Sequence, residues 1–160
     1  MNFLSKYLPR TDFDSCEDFK ENYRIIAPEN FNFGYDIVDE YARLEPSKPA
    51  LIWLNDAGEE KHFTFSDVKE QSDRIANLLR SLGIKKGDRV LLILKQRPEV
   101  WFTLVALCKL GATAIPASFQ LTEKDIIYRC DAAEVKMIIA AEDDNIIGHI
   151  KNSRHKCGTL

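Results

Sequence analysis

Glycine and proline are scarce, at 7 and 6 of 160 residues. That scarcity excludes collagen-like and low-complexity chains, and no internal repeat is present. No apolar run is long enough to span a bilayer: the longest uncharged stretches, Val100–Cys108 and Leu110–Thr122, are broken by Lys109 and carry Gly111 and Pro116. The opening residues Met1–Cys16 contain no apolar signal-peptide core. A cytoplasmic location without a membrane span is the expectation. Cysteine is also sparse. Cys16, Cys108, Cys130 and Cys157 form no CxxC, and His62, His149 and His155 lie in unrelated contexts, so no metal site is expected. Cys108 and Cys130 fall in apolar patterns and are expected to be buried as small hydrophobes, in keeping with a reducing compartment.

Charge of one sign is missing too. The net charge is -3; residues 1–60 hold 6 basic and 13 acidic side chains, and residues 61–160 hold 16 and 12. The second part is mildly basic, but its charges alternate in sign without a basic block, so no nucleic-acid partner is expected. The phosphate-binding patterns GxGxxG and GxxxxGK(S/T) are absent, as are GxSxG and HExxH. Ser118 follows a strand-like run without a base or an elbow glycine pattern beside it. Residue chemistry alone therefore nominates no catalytic residue.

What is there is ordinary globular composition, 45% hydrophobic and 29% charged. A chain of this length buries roughly two thirds of its unfolded surface and needs no disulfide or metal to hold a core. Residues 1–34 mix acids with scattered aromatics and predict a helical or irregular N-terminal extension packed on a main body at 35–160. Ile37, Val38, Tyr41 and Leu44 predict a helix over Tyr35–Leu44, stopped by Pro46. Ala50–Leu54 and His62–Phe65 predict an antiparallel hairpin around Asn55–Gly58. Ser66 is placed to cap the next helix, whose stripe is Val68, Ile75, Leu78, Leu79 and Leu82, with Gly83 as its left-handed terminator.

The run Arg89–Leu94 lacks alternation, which predicts a central parallel strand buried on both faces. A helix from Pro98 to about Leu110 ends at Gly111, and a strand over Thr113–Pro116 follows. Thr122–Asp125 predicts a capping box with Asp in the usual Glu position. The helix it opens reaches about Asp131, a strand covers Val135–Ala140, and a last helix begins near Asp143 with Ile146, Ile147 and Ile150. The fold class is α/β: a partial doubly wound, mostly parallel sheet preceded by a β-hairpin and the N-terminal extension. In such sheets ligands bind beyond the carboxyl ends of the strands, which nominates the loops Lys95–Arg97 and Ala117–Leu121. Lys95 and Arg97 are strand-end cations there. Trp101 and Phe102 are expected to pack against the sheet.

Several motifs, in order, resemble one family. Phe63–Val68 is similar to the early T-(Y/F)-x-E-L-type motif of the AMP-forming acyl- and aryl-CoA synthetases and related adenylating enzymes. Gly87-Asp88-Arg89-Val90 precedes a hydrophobic strand as it does there. Pro98–Trp101 and Leu107–Pro116 are similar to the family's next block, (L/C)-(K/R)-x-G-A-x-x-x-P. Phe31–Asp39 and Phe119–Arg129 resemble the branch of medium-chain acyl-CoA synthetases, related to acetyl-CoA synthetase. The resemblance covers about residues 23–141.

It implies a parent acid–thiol ligase that joins a small, short- or medium-chain carboxylic acid to ATP with Mg²⁺, then passes the acyl group to CoA. It also implies that Gln120 lies along the CoA path, with Ser118 and Phe119 as weaker candidates. Phe119 stands where acetyl-CoA synthetase has glycine nearby, and the arginines that enzyme uses for a CoA phosphate have no match in Glu142–Ile150. The family's phosphate loop and adenylation lysine fall outside these 160 residues. The piece is accordingly expected to be inactive alone, to bind none of ATP, Mg²⁺ or CoA tightly, and to need the rest of a synthetase chain to cover its sheet. Two alternatives are a non-catalytic α/β binding or assembly module derived from such an enzyme, and an adenylating enzyme that uses a carrier-protein thiol.

Overall fold

The computed structural model describes residues 3–142, 144–154 and 156–157; the start assigned to the last helix at Asp143, and His155, lie outside them. The chain divides into two units, residues 1–31 and 32–160. The first unit has a short 3₁₀ turn over Phe3–Lys6 and the helix α1, Cys16–Asn22. Ser15 caps α1, its Oγ accepting the Asp18 amide at 3.1 Å. Arg10 grips the Asp18 carboxylate with two nitrogens, and Phe19 stacks on Tyr23 at 4.7 Å between ring centroids.

The second unit opens on a wide π-helical turn, Gly34–Asp39, that runs into α2, Glu40–Leu44. The hairpin β1 (Pro49–Leu54) and β2 (Glu60–Thr64) follows, antiparallel because a connection this short leaves no room for a crossover helix. Asn55 shapes its turn by accepting the Ala57 and Glu59 amides. The helix α3, Phe65–Ser81, starts one residue inside the expected strand. Its cap is Thr64, not Ser66: Thr64 Oγ1 accepts the Asp67 amide while Asp67 returns a bond to the Thr64 N–H. Two hydroxyls lay two residues apart, and only Thr64 has Asp three positions later to close the box.

The core strand β3 (Arg89–Ile93) lies between β4 (Thr113–Pro116) and β5 (Val135–Ala140), parallel to both, in the order β4-β3-β5. The crossovers are α4 (Pro98–Leu110) and α5 (Glu123–Ala133), and α6 (Asp144–Arg154) follows β5. Successive β3 side chains serve opposite layers. Leu91 and Ile93 pack with Ile126, Cys130 and Ile146 of α5 and α6. Val90 and Leu92 pack with Leu79 and Leu107 of α3 and α4. Burial on both faces is what an unalternating apolar strand dictates. A third cluster, Val38, Val68, Phe102 and Val105, seats the hairpin, with Phe63 edge-on to Phe102 at 5.1 Å.

Four assignments of facing differ from expectation. Trp101 is 56% exposed and Cys108 is exposed. They are seven residues apart, hence on one face of α4, and that face looks outward while Phe102 turns inward. On α3 the buried stripe is Val68, Ser72, Ala76 and Leu79, with Ile75 beside it, whereas Leu78 and Leu82 are exposed. Cys130 is fully buried as expected, with buried Cys157 beside it; burial and that neighbour push the Cys130 thiol up to about 12. Neither is in a disulfide.

Candidate functional site

The two loops nominated by topology meet. Beyond the carboxyl end of β3 the chain turns at Lys95, which takes a left-handed φ of 55°. Beyond β4 it continues through Ala117, whose amide donates to Leu92 O at 2.8 Å, so the two loops leave the sheet tied together. Between them lies a cavity of about 300 Å³. Leu92, Leu94, Val100 and Pro116 form its apolar wall, and Lys95, Gln96 and Ser118 its polar rim. Phe119 stands at the boundary with a second cavity of about 470 Å³, lined also by Gln120, Leu121, Asn145 and His149.

Local hydrogen bonds fix the loop between the cavities. Ser118 Oγ accepts the Gln120 amide at 3.1 Å, and Thr122 closes a capping box with Asp125 at the start of α5. Hydrogen bonds from the Thr122 side chain and backbone hold the Asp125 carboxyl below the usual carboxylate range. Across the cavity, Lys95 Nζ sits 4.8 Å from the Phe119 ring centroid. Trp53 of β1 donates its indole N–H to Gln96 O at 2.7 Å, which braces the β3–α4 loop against the hairpin.

The structure therefore brings Lys95, Ser118 and Phe119 around one cavity and places Gln120 on the far side of Phe119. Arg97 is the N-cap residue of α4 and makes no side-chain cap bond. It lines a groove of about 420 Å³ with Trp53 and Trp101, and that groove shares Lys95, Gln96 and Val100 with the first cavity. Sequence reasoning missed Asn145 and His149. Their signal was positional, since α6 follows β5 and its first turns lie beyond that strand's carboxyl end.

A charged cluster sits apart from these cavities. Lys109 has a side chain only 1% exposed, and its Nζ lies 2.7 Å from Asp39 Oδ1 and 2.6 Å from Asp73 Oδ1. Lys69 binds the other oxygen of Asp73 at 2.5 Å. Burial alone would raise the Asp73 carboxyl, but the Lys109 and Lys69 hydrogen bonds hold it below its ordinary value. Gly34 is required here, because a Cβ at that position would meet Lys109 Cγ at 2.5 Å. Among the described residues no group of three or more His, Cys, Asp or Glu is arranged to hold a metal ion, and no helix is long and apolar enough to cross a membrane.

A parallel sheet with helices on both faces and adjoining cavities at its carboxyl edge is a doubly wound α/β domain, an architecture in which ligands bind at that edge. Residues 38–159 match the family described as AMP-binding enzyme, and the chain belongs to that family. It is similar to the mitochondrial acyl-coenzyme A synthetase ACSM5 of Rattus norvegicus, 40% identical over 84% of this chain and 24% of the relative. It is also similar to the mitochondrial acyl-coenzyme A synthetase ACSM3 of Homo sapiens, 37% identical over 93% of this chain and 26% of the relative. A Mycobacterium tuberculosis fatty acyl CoA synthetase superposes with a TM-score of 0.71 at 25% identity, over 81% of this chain and 25% of that one. The chain spans about a quarter of the length of the curated relatives it matches.

Proposed function

We propose that this chain is the first sheet-bearing portion of an acid–thiol ligase. The ligase activates a small, short- or medium-chain carboxylic acid with ATP and transfers the acyl group to CoA in a reducing compartment, the cytoplasm. The chemistry answers a leaving-group problem. A carboxylate resists attack by a thiol, whereas its mixed anhydride with AMP expels a stable phosphate monoester. The observation that carries the reading is the meeting of the Lys95–Arg97 and Ala117–Leu121 loops around adjoining cavities beyond the parallel strands.

In this reading Gln120 lines the CoA path. Its amide both donates and accepts, which suits the amide groups of the pantetheine arm. Ser118 shapes the loop through its bond to the Gln120 amide, and Phe119 supplies an apolar wall. Mg²⁺ enters with ATP, and no residue of this chain is assigned to it. None of these 160 residues is assigned a role in adenylyl transfer, the step that joins the carboxylate to AMP and releases pyrophosphate. The remainder of a family-length chain would cover the apolar outer face of the hairpin.

Calorimetric titration tests the reading. The 160-residue chain is expected to bind CoA only weakly, and Gln120→Ala to weaken that binding about threefold to tenfold, the loss of one or two neutral hydrogen bonds. Pyrophosphate release from ATP with butyrate or hexanoate should stay at background. Acyl-adenylate formation by this chain alone, or CoA affinity untouched by Gln120→Ala, would overturn it.

A further inference from the structure

Two of the four cysteines lie together in the core. Cys130, in the last turn of α5, has no exposed surface, and Cys157, just beyond α6, is 8% exposed. Both belong to the apolar cluster of Leu91, Ile93, Ile126 and Ile146. A side-chain hydrogen bond joins the two thiols. They are 27 positions apart in the chain and become neighbours because α5 and α6 cover the same face of β3. Cys16 and Cys108, by contrast, are exposed.

The chain beyond α6 is turned back onto α5. The amides of Lys156 and Cys157 both donate to Ser153 O, at 2.9 and 3.1 Å. Lys156 Nζ reaches Glu123 Oε1, in the first turn of α5, at 2.6 Å. The turn is therefore tied to the start of α5 by an ion pair and to its end by the thiols. The ion-pair side chains are 60% and 28% exposed, and solvent-facing pairs hold weakly. Lifting this turn accordingly takes less free energy than opening the core it covers.

We propose that Cys130 and Cys157 are a modification site that closes to an intramolecular disulfide by exchange with a low-molecular-weight disulfide such as oxidised glutathione. When the turn lifts, Cys157 is the thiol that meets solvent. Its thiolate attacks one sulfur of the glutathione disulfide, that S–S bond breaks, and one glutathione leaves and takes up a proton. Cys130 then gives its proton to solvent and attacks the Cys157 sulfur, and the second glutathione leaves as a thiol. The two protein thiols lose two electrons, and one glutathione disulfide is reduced to two glutathiones. Burial keeps the proton on Cys130 while the turn is down, which puts Cys157 first. The new bond encloses β5 and α6, so oxidation staples α6 to α5 and restrains the unfolded chain.

The 160-residue chain and its Cys16→Ser/Cys108→Ser variant test this in glutathione buffers of rising oxidised fraction, quenched with acid and mapped by trypsin and mass spectrometry. The peptides Cys130–Lys136 and Cys157–Leu160 are expected to be joined with the loss of two hydrogens, and to separate in dithiothreitol. The oxidised chain should keep the circular dichroism of the reduced one and unfold at a higher urea midpoint. Cys130→Ala should stop at the mixed disulfide on Cys157, and Cys157→Ala should leave Cys130 unmodified. The peptide linkage is read on the intact pair, so it decides the matter even where an alanine variant fails to fold. Thiols that both stay reduced, separate glutathione adducts on each, a cross-link formed only in urea, or a midpoint that does not rise would overturn the proposal. Capture of Cys130 ahead of Cys157 would overturn it too.

Discussion

Thr64 and Thr122 begin α3 and α5 by the same device, a hydroxyl that takes the amide three residues on while an Asp there returns a bond. Each box satisfies two amides that the first helical turn leaves without partners. Hydrogen bonds from Thr64 hold Asp67 below the ordinary carboxylate range, so the box stays closed at neutral pH. Thr64→Ala should cost about 1 kcal/mol in urea unfolding, and Ser66→Ala, at an exposed position inside the helix, less than about 0.5 kcal/mol. Equal losses from the two variants would return the cap to Ser66.

At the scale of elements, Lys109 joins α4 to the π-helical turn through Asp39 and to α3 through Asp73. Removing Lys109 leaves Asp39 without its cation, while the partly exposed Asp73 keeps Lys69; breaking a fully buried pair typically costs about 3–5 kcal/mol, which is the upper bound here. Lys109→Met should lose stability below that bound, measured as the shift of the urea midpoint at constant slope. Adding Asp39→Leu and Asp73→Leu to it should recover much of the loss, because an apolar set of similar volume carries no desolvation penalty. The cluster was not legible in the sequence. Positions 39, 73 and 109 are far apart in the chain, and a lysine inside an apolar helix has the same one-letter signature whether it is buried or reaches solvent. By contrast, β3 was legible because five apolar residues without alternation have one physical explanation. The outward turn of Trp101 and Cys108 was hidden because α4 is apolar on most sides, so periodicity could not choose its inner face.

At the scale of the molecule, the carboxyl edge of the sheet was legible as a site from topology, since strand order fixes where loops converge. The pairing of Lys95 with Phe119 was not, because it depends on a backbone angle that lysine rarely adopts. The hairpin shows a further whole-molecule property. Ile52 and Leu54, 54% and 62% exposed, share its outer face opposite His62 and Glu60. Two aliphatic side chains on the open face of a two-stranded sheet form an adhesive patch. The double variant Ile52→Lys/Leu54→Lys should reduce concentration-dependent association in sedimentation velocity severalfold while moving the unfolding free energy by less than about 0.5 kcal/mol per site.

The burial of Lys109 has a consequence for chemistry at lysine in general. Electrophiles that mark accessible amines, whether acylating reagents or reactive metabolites, require the nitrogen to be reachable. Lys109 is not while Asp39 and Asp73 enclose it. Its labelling would proceed only through openings that part α4 from α3 and the turn at Gly34–Asp39, so the rate at which this one amine acquires a tag is a clock for that opening.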